Sequence, residues 1–144
     1  MSDSSVKTLT LSAVTGAVTL RDTPFSSEGL RDLVWSVEIS ASASTGGDTL
    51  TVTIQGTNTD LTTAGGTGSD DYWTDLITFT AIAGNATTPS VVHRDILNIL
   101  TTASTNSQRP YPRWLRIKYV TVNGSGSSSF TGKIRLSANI AVTE

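Results

Sequence analysis

The chain has no cysteine, and only one histidine and one methionine among its 144 residues. Without a thiol there can be no disulfide framework, no thiolate metal site and no cysteine nucleophile. Zinc centres usually draw on three or four His, Cys or carboxylate ligands, and His93 is the sole imidazole. Charge is scarce too: ten Lys+Arg against twelve Asp+Glu give a formal net charge of -2. Phosphate-backbone binding needs a basic excess that releases counterions, so nucleic acid is not an expected partner. No run of five like charges occurs, which excludes acidic or basic tails. The uninterrupted apolar stretches are a few residues long, far short of a membrane span, so no membrane partner is expected either. The opening Met1-Ser2-Asp3-Ser4-Ser5-Val6-Lys7 has neither the basic start nor the apolar core of a secretory signal. Synthesis and folding in a reducing cytoplasm are therefore expected.

What fills the space is hydroxyl. Twenty-five Thr and 19 Ser occupy 44 of 144 positions. This composition is poor for helices and suits the exposed faces of strands. Period-two alternation is the dominant pattern. Leu33, Trp35, Val37, Ile39, Ala41 and Ala43 alternate with Val34, Ser36, Glu38, Ser40 and Ser42. Leu50, Val52 and Ile54 then alternate with Thr49, Thr51, Thr53 and Gln55. Each run is a strand with one apolar face, and the turn cluster Ser44-Thr45-Gly46-Gly47-Asp48 between them predicts a hairpin. A second hairpin is predicted near the C-terminus. There Leu115, Ile117 and Tyr119 face inward, and after the Asn123–Ser129 turn Phe130, Gly132, Ile134, Leu136 and Ala138 do so again. Arg116, Lys118, Lys133 and Arg135 are then expected together on one exposed face. Further strands are expected at Val6–Val14, Ala17–Arg21, Trp73–Ile82 and from Val91, where Asp95–Leu100 reads equally as a short helix.

The segments predict an all-β, antiparallel β-sandwich of about seven or eight strands, jelly-roll or Greek-key in order, with an up-and-down barrel as the alternative. Loops are long, and at most one short helix is expected, near 93–101. Residues 1–7 read as a polar N-terminal arm and 8–144 as a single sandwich domain.

Chemistry-bearing residues are few. His93 has no G-x-S-x-G partner and reads as a strand-end histidine beside Arg94 and Asp95. Asp60, Asp70, Asp71 and Asp75 gather loosely but do not match a calcium loop, so they read as solvated loop acids. The stretch Ala64-Gly65-Gly66-Thr67-Gly68-Ser69 lacks the lysine and helix of a phosphate-binding loop and reads as a mobile loop tip. Trp35 lies on an apolar strand face and is expected in the core. Tyr72, Trp73 and Tyr111 sit at loop edges, where they serve either a sugar platform or packing at an interface. No metal, cofactor or catalytic residue is predicted.

The order of Asp32-Leu33-Val34-Trp35-Ser36-Val37-Glu38-Ile39, Thr49-Leu50-Thr51-Val52-Thr53-Ile54-Gln55-Gly56-Thr57, Trp73-Thr74-Asp75-Leu76 and Arg113-Trp114-Leu115-Arg116-Ile117-Lys118-Tyr119, then a Gly/Ser turn and a last strand, resembles the β-sandwich capsid decoration or cement proteins of tailed bacteriophages. The resemblance spans roughly Leu30 to Ala138 and rests on strand order and flavour. It implies a non-enzymatic role on the virion surface after assembly in the host cytoplasm, with the major capsid protein and a homotrimer of the chain itself as partners. The expected contact residues are Ser2, Asp3, Ser4, Ser5, Val6 and Lys7 of the arm, together with Arg109, Tyr111, Arg113 and Trp114. A carbohydrate-binding module or a receptor-binding fibre module is the alternative, and a small glycosidase a third reading.

Overall fold

The computed structural model of the chain describes residues 3–28, 30–42, 47–84, 90–96, 112–123 and 128–140. Its strands are β1 (Asp3–Val14), β2 (Thr19–Arg21), β3 (Phe25–Ser26), β4 (Leu30–Ser42), β5 (Thr49–Thr57), β6 (Thr74–Thr78), β7 (Ile82–Ala83), β8 (Ser90–Ile96), β9 (Trp114–Val122) and β10 (Ser129–Ile140). One helical turn, α1 (Leu61–Ala64), follows β5. The first sheet has the order β1-β10-β4-β8, and the second β2-β9-β5-β6. All pairings are antiparallel. β2 and β3 follow one another along β9, and β6 and β7 do the same along β5, so each edge of the second sheet is one interrupted strand.

The molecule is the expected all-β sandwich. Its pairing is that of a long hairpin rolled up: β1 with β10, β2 and β3 with β9, β4 with β8, and β5 with β6 and β7. An up-and-down barrel, in which consecutive strands are neighbours throughout, is excluded by this order. The broken edges of the second sheet set it apart from a regular jelly roll. The core lies where the alternation put it. Trp35, Val37, Ile39 and Ala41 of β4, with Phe130, Ile134 and Leu136 of β10, are buried in one cluster with Leu50, Val52 and Ile54 of β5 and Leu115, Ile117 and Tyr119 of β9.

Both predicted hairpins are absent. β4 and β5 lie in different sheets, as do β9 and β10. Alternation encodes which face of a strand is apolar but not which strand lies beside it. A two-residue turn would have forced pairing; the longer connections here let the chain step across the gap of about 10 Å between packed sheets. The two apolar faces then oppose one another instead of lying side by side. Buried Asp48, at the end of one crossing, accepts the Ser128 N–H at the end of the other (2.9 Å), while its carbonyl accepts the Gly84 N–H (2.7 Å). It ties three segments at that end of the sandwich.

Two local expectations also change. Residues 90–96 form β8, pairing with β4, and 97–101 lie outside the described residues, while the helical turn α1 stands at 61–64. Residues 3–7 are the start of β1, with Asp3 opposite Asn139 and Lys7 opposite Leu136.

Gly132 in β10 faces Ile39 of β4. A Cβ there would run into the Glu38 carbonyl oxygen and stand 2.8 Å from the Ile39 Cα, both backbone atoms that cannot yield without opening the ladder. Gly132→Ala is expected to lower stability by about 3 kcal/mol, read as a drop in the urea midpoint. Gly68→Ala, whose Cβ meets open space, should stay within about 0.5 kcal/mol of the parent.

Candidate functional site

Strand alternation that sends Leu115, Ile117 and Tyr119 into the core sends Arg116 and Lys118 to the outer face of the second sheet. Register places Gln55 of β5 beside Arg116 and Arg21 of β2 beside Lys118. These polar groups do not meet solvent freely, because the segment 58–73 folds back over them. Its start is fixed by Asp60, whose Oδ1 accepts the Thr63 N–H (3.1 Å) and caps α1. That bond holds the Asp60 carboxyl below its usual range. Its end is fixed by Trp73, whose indole N–H donates to the carbonyls of Ala64 and Gly65, both at 3.3 Å.

Arg116 is the centre of the arrangement, and its side chain is fully buried. Its Nε donates to Gln55 Oε1 (2.8 Å), Nη1 to the Gly66 carbonyl (3.0 Å), and Nη2 to the Ser69 carbonyl (2.7 Å) and Asp70 Oδ1 (2.8 Å). The guanidinium also lies over the Trp73 ring, 4.0 Å from its centroid. Gln55 passes the chain of bonds on, donating from Nε2 to Asp75 Oδ1 (2.7 Å). Burying a cation is costly unless it is paired and its donors are satisfied, and four hydrogen bonds, one of them to the Asp70 carboxylate, meet that condition. Burial pulls the Arg116 pKa down from its ordinary value, and the Asp70 charge opposes the shift.

Asp70 collects three cations. Besides Arg116, Arg21 donates from Nε and Nη2 (2.8 and 3.1 Å), and Lys118 from Nζ (2.6 Å). The Arg21 hydrogen bonds, then those of Lys118, hold the Asp70 carboxyl well below the usual carboxylate range despite partial burial. Arg21 is raised in turn by the same bonds. A carboxylate so saturated is a counterion, not a base, and the arrangement works as a clamp on the covering segment. Among the described residues no group of three or more His, Cys, Asp and Glu is placed to hold a metal ion.

Several expectations are corrected here. The four basic strand residues do not share a face: Arg116 and Lys118 lie outside the second sheet, Lys133 and Arg135 outside the first. A shallow depression of about 260 Å³ lined by Glu38, Ser40, Thr131 and Gly132 adjoins the latter pair. Asp70 is no solvated loop acid, and the glycine-rich stretch is gripped by Arg116 through Gly66 and Ser69. Trp73 is buried against a cation, leaving Tyr72, 52% exposed, as the accessible aromatic of that pair. Trp35 is in the core as expected. His93 sits in β8 opposite Val37.

Of the segments expected to contact a partner, the start of β1 and the start of β9 lie at the same end of the sandwich, in different sheets. Ser27 donates from Oγ to the Pro112 carbonyl (2.6 Å) and from its N–H to the Arg113 carbonyl (3.1 Å). Three residues later β4 begins at Leu30, opposite Ile140, next to the Asn139–Asp3 pair. Val6 packs on the core, and Lys7 pairs with Asp22 at 3.2 Å across the open side of the sandwich. Arg113 is exposed and stands 5.6 Å from the Trp114 ring. Ser2, Arg109 and Tyr111 lie outside the described residues.

No protein family, curated protein or solved structure matches this chain. Its reading therefore rests on its own residues.

The clamp was hidden from sequence reasoning because Arg116 and Asp70 are 46 residues apart. One signal pointed to it: four aspartates in 60–75 with no basic partner nearby in sequence. Arg116→Met is expected to cost about 3 kcal/mol, since it strands Gln55, two carbonyls and Asp70. Asp70 has a folded pKa below its ordinary 3.8, so its contribution is complete above about pH 4 and is lost as pH falls further. Urea midpoints between pH 7 and 2 should fall in the acid limb for the parent and fall less for Asp70→Asn, which starts lower.

Proposed function

We propose that this chain is a non-enzymatic structural protein of a phage virion, which binds the outside of the capsid and bridges neighbouring capsid subunits. The observation that carries the reading is the edge position of β1, whose start lies at the same end of the sandwich as the start of β9. β1 has twelve residues and, among the described residues, one neighbour, β10. A long edge of this kind is a template for an added strand. Lys7, tied to Asp22, and the register irregularity between Ser5 and Lys7 blunt its inner part, leaving Asp3–Ser5 as the segment that offers pairing. Two-sheet sandwiches with rolled connections recur in viral capsid and lectin domains, which is support by analogy of fold.

The mechanism is linkage. A protein that binds only the assembled shell favours it by RT ln(1 + [L]/Kd), about 2.7 kcal/mol per site at a hundredfold excess over Kd. Repeated over every site of a particle, that opposes rupture by internal pressure. The sugar-binding alternative keeps Tyr72 but not Trp73, whose face is covered by Arg116.

Sedimentation equilibrium over a concentration series is the test. The expected result is a trimer of 15.1 kDa subunits that shifts toward monomer on deletion of residues 1–5 or on Arg113→Glu. A single-subunit mass at every concentration, with a glycan that shifts Tyr72 or tryptophan emission, would overturn the proposal in favour of the sugar module.

A further inference from the structure

We propose that Arg21, Arg116 and Lys118 form an oxyanion-binding site on the outer face of the second sheet, occupied by Asp70 as a resident ligand from the chain's own covering segment. A carboxylate or phosphate from outside then takes the same position when that segment lifts. This goes beyond the virion reading and does not depend on it.

The site is built independently of Asp70. Arg21 and Lys118 are register neighbours on β2 and β9. The Arg116 fork is aimed by Gln55 from β5 on one side and by the Trp73 ring, next to β6, on the other. Removing the Asp70 carboxylate leaves three oriented cations within reach of one point. The four contacts Asp70 makes there, at 2.6 to 3.1 Å, are the pattern an arginine fork and a lysine present to a carboxylate or phosphate.

The covering segment is also placed to leave. Between Gly65 and Tyr72 no side chain enters the core, and the segment is held to the sheet by polar groups: two carbonyls on Arg116 and the Asp70 carboxylate. Lifting it uncovers little apolar surface, so its opening is opposed mainly by those polar bonds, which an outside anion can replace in part. Gly68 has open space where a Cβ would stand, so packing does not require a glycine there. In the closed state Asp70 competes from the same chain at high effective concentration, and an outside anion therefore meets an occupied site.

The test is anion rescue of Asp70→Ala. Inorganic phosphate at a hundredfold excess over Kd should raise its melting temperature by about 5–10 °C, and acetate should do so at higher concentration. Sodium chloride at equal ionic strength should not, and Asp70→Ala combined with Lys118→Ala should lose most of the gain. The parent protein, with its site filled, should shift by less than about 2 °C under the same phosphate. If Asp70→Ala does not fold unaided, phosphate-dependent recovery of folded Trp73 emission is the readout, with Asp70→Asn as the second variant. Equal stabilisation by chloride, absence of any phosphate effect on both variants, or an equal phosphate effect on the parent would overturn the proposal. A response to acetate but not phosphate would assign the site to carboxylates, the reverse to phosphates.

Discussion

Every long strand of this chain has one apolar face, and a strand of that kind is stable only if a second apolar face closes over it. With hydrophobic residues at 37% there is material for one such gap and no more. The requirement fixes the main decisions of the fold. Consecutive strands with clean alternation go to opposite sheets, their crossings gather at the two ends, and Asp48 locks one of those ends. Hydroxyl-bearing residues cover the outside, where β-branched threonine tolerates an extended backbone.

The second sheet departs from this scheme on its outer face, where a cation is buried. Replacing a buried ion pair with apolar side chains is often neutral or stabilising, so Arg116 and Asp70 are not explained by stability alone. What they add is definition. A glycine-rich segment of low apolar content has many near-equivalent paths over a polar sheet; four directed bonds from one guanidinium select one of them. Among the described residues nothing covers Lys133 and Arg135 of the first sheet, whereas Arg116 of the second is buried, so the described parts of the two outer faces differ in chemistry.

Which residues face inward was legible from the sequence, because a period of two is a local property: Trp35, Val37, Ile39, Leu50, Val52, Ile54, Leu115, Ile117, Phe130, Ile134 and Leu136 are all buried where alternation put them. Which strands pair was not, since a connection of five or six residues permits a hairpin and a crossing alike. The clamp was illegible for a related reason. Arg116 and Lys118 were correctly read as pointing away from the core, but outward means solvent only if nothing folds back, and the segment that does so carries no apolar signal. Asp70 beside Asp71 looks like ordinary loop charge until three distant cations are placed around it.

The pairing of β1 with β10 has a kinetic consequence. Asp3 is opposite Asn139, so among the described residues β1 finds its sheet neighbour in β10, far along the chain. Until β10 is in place β4 also lacks it, and both wait with apolar faces uncovered. Contacts so distant in sequence carry a large loop-closure entropy before any reward, which slows folding and prolongs exposure to aggregation. A chain of this topology gains from the hydroxyl-rich composition noted at the outset, because threonine and serine on the outer faces keep incomplete sheets soluble while they await completion.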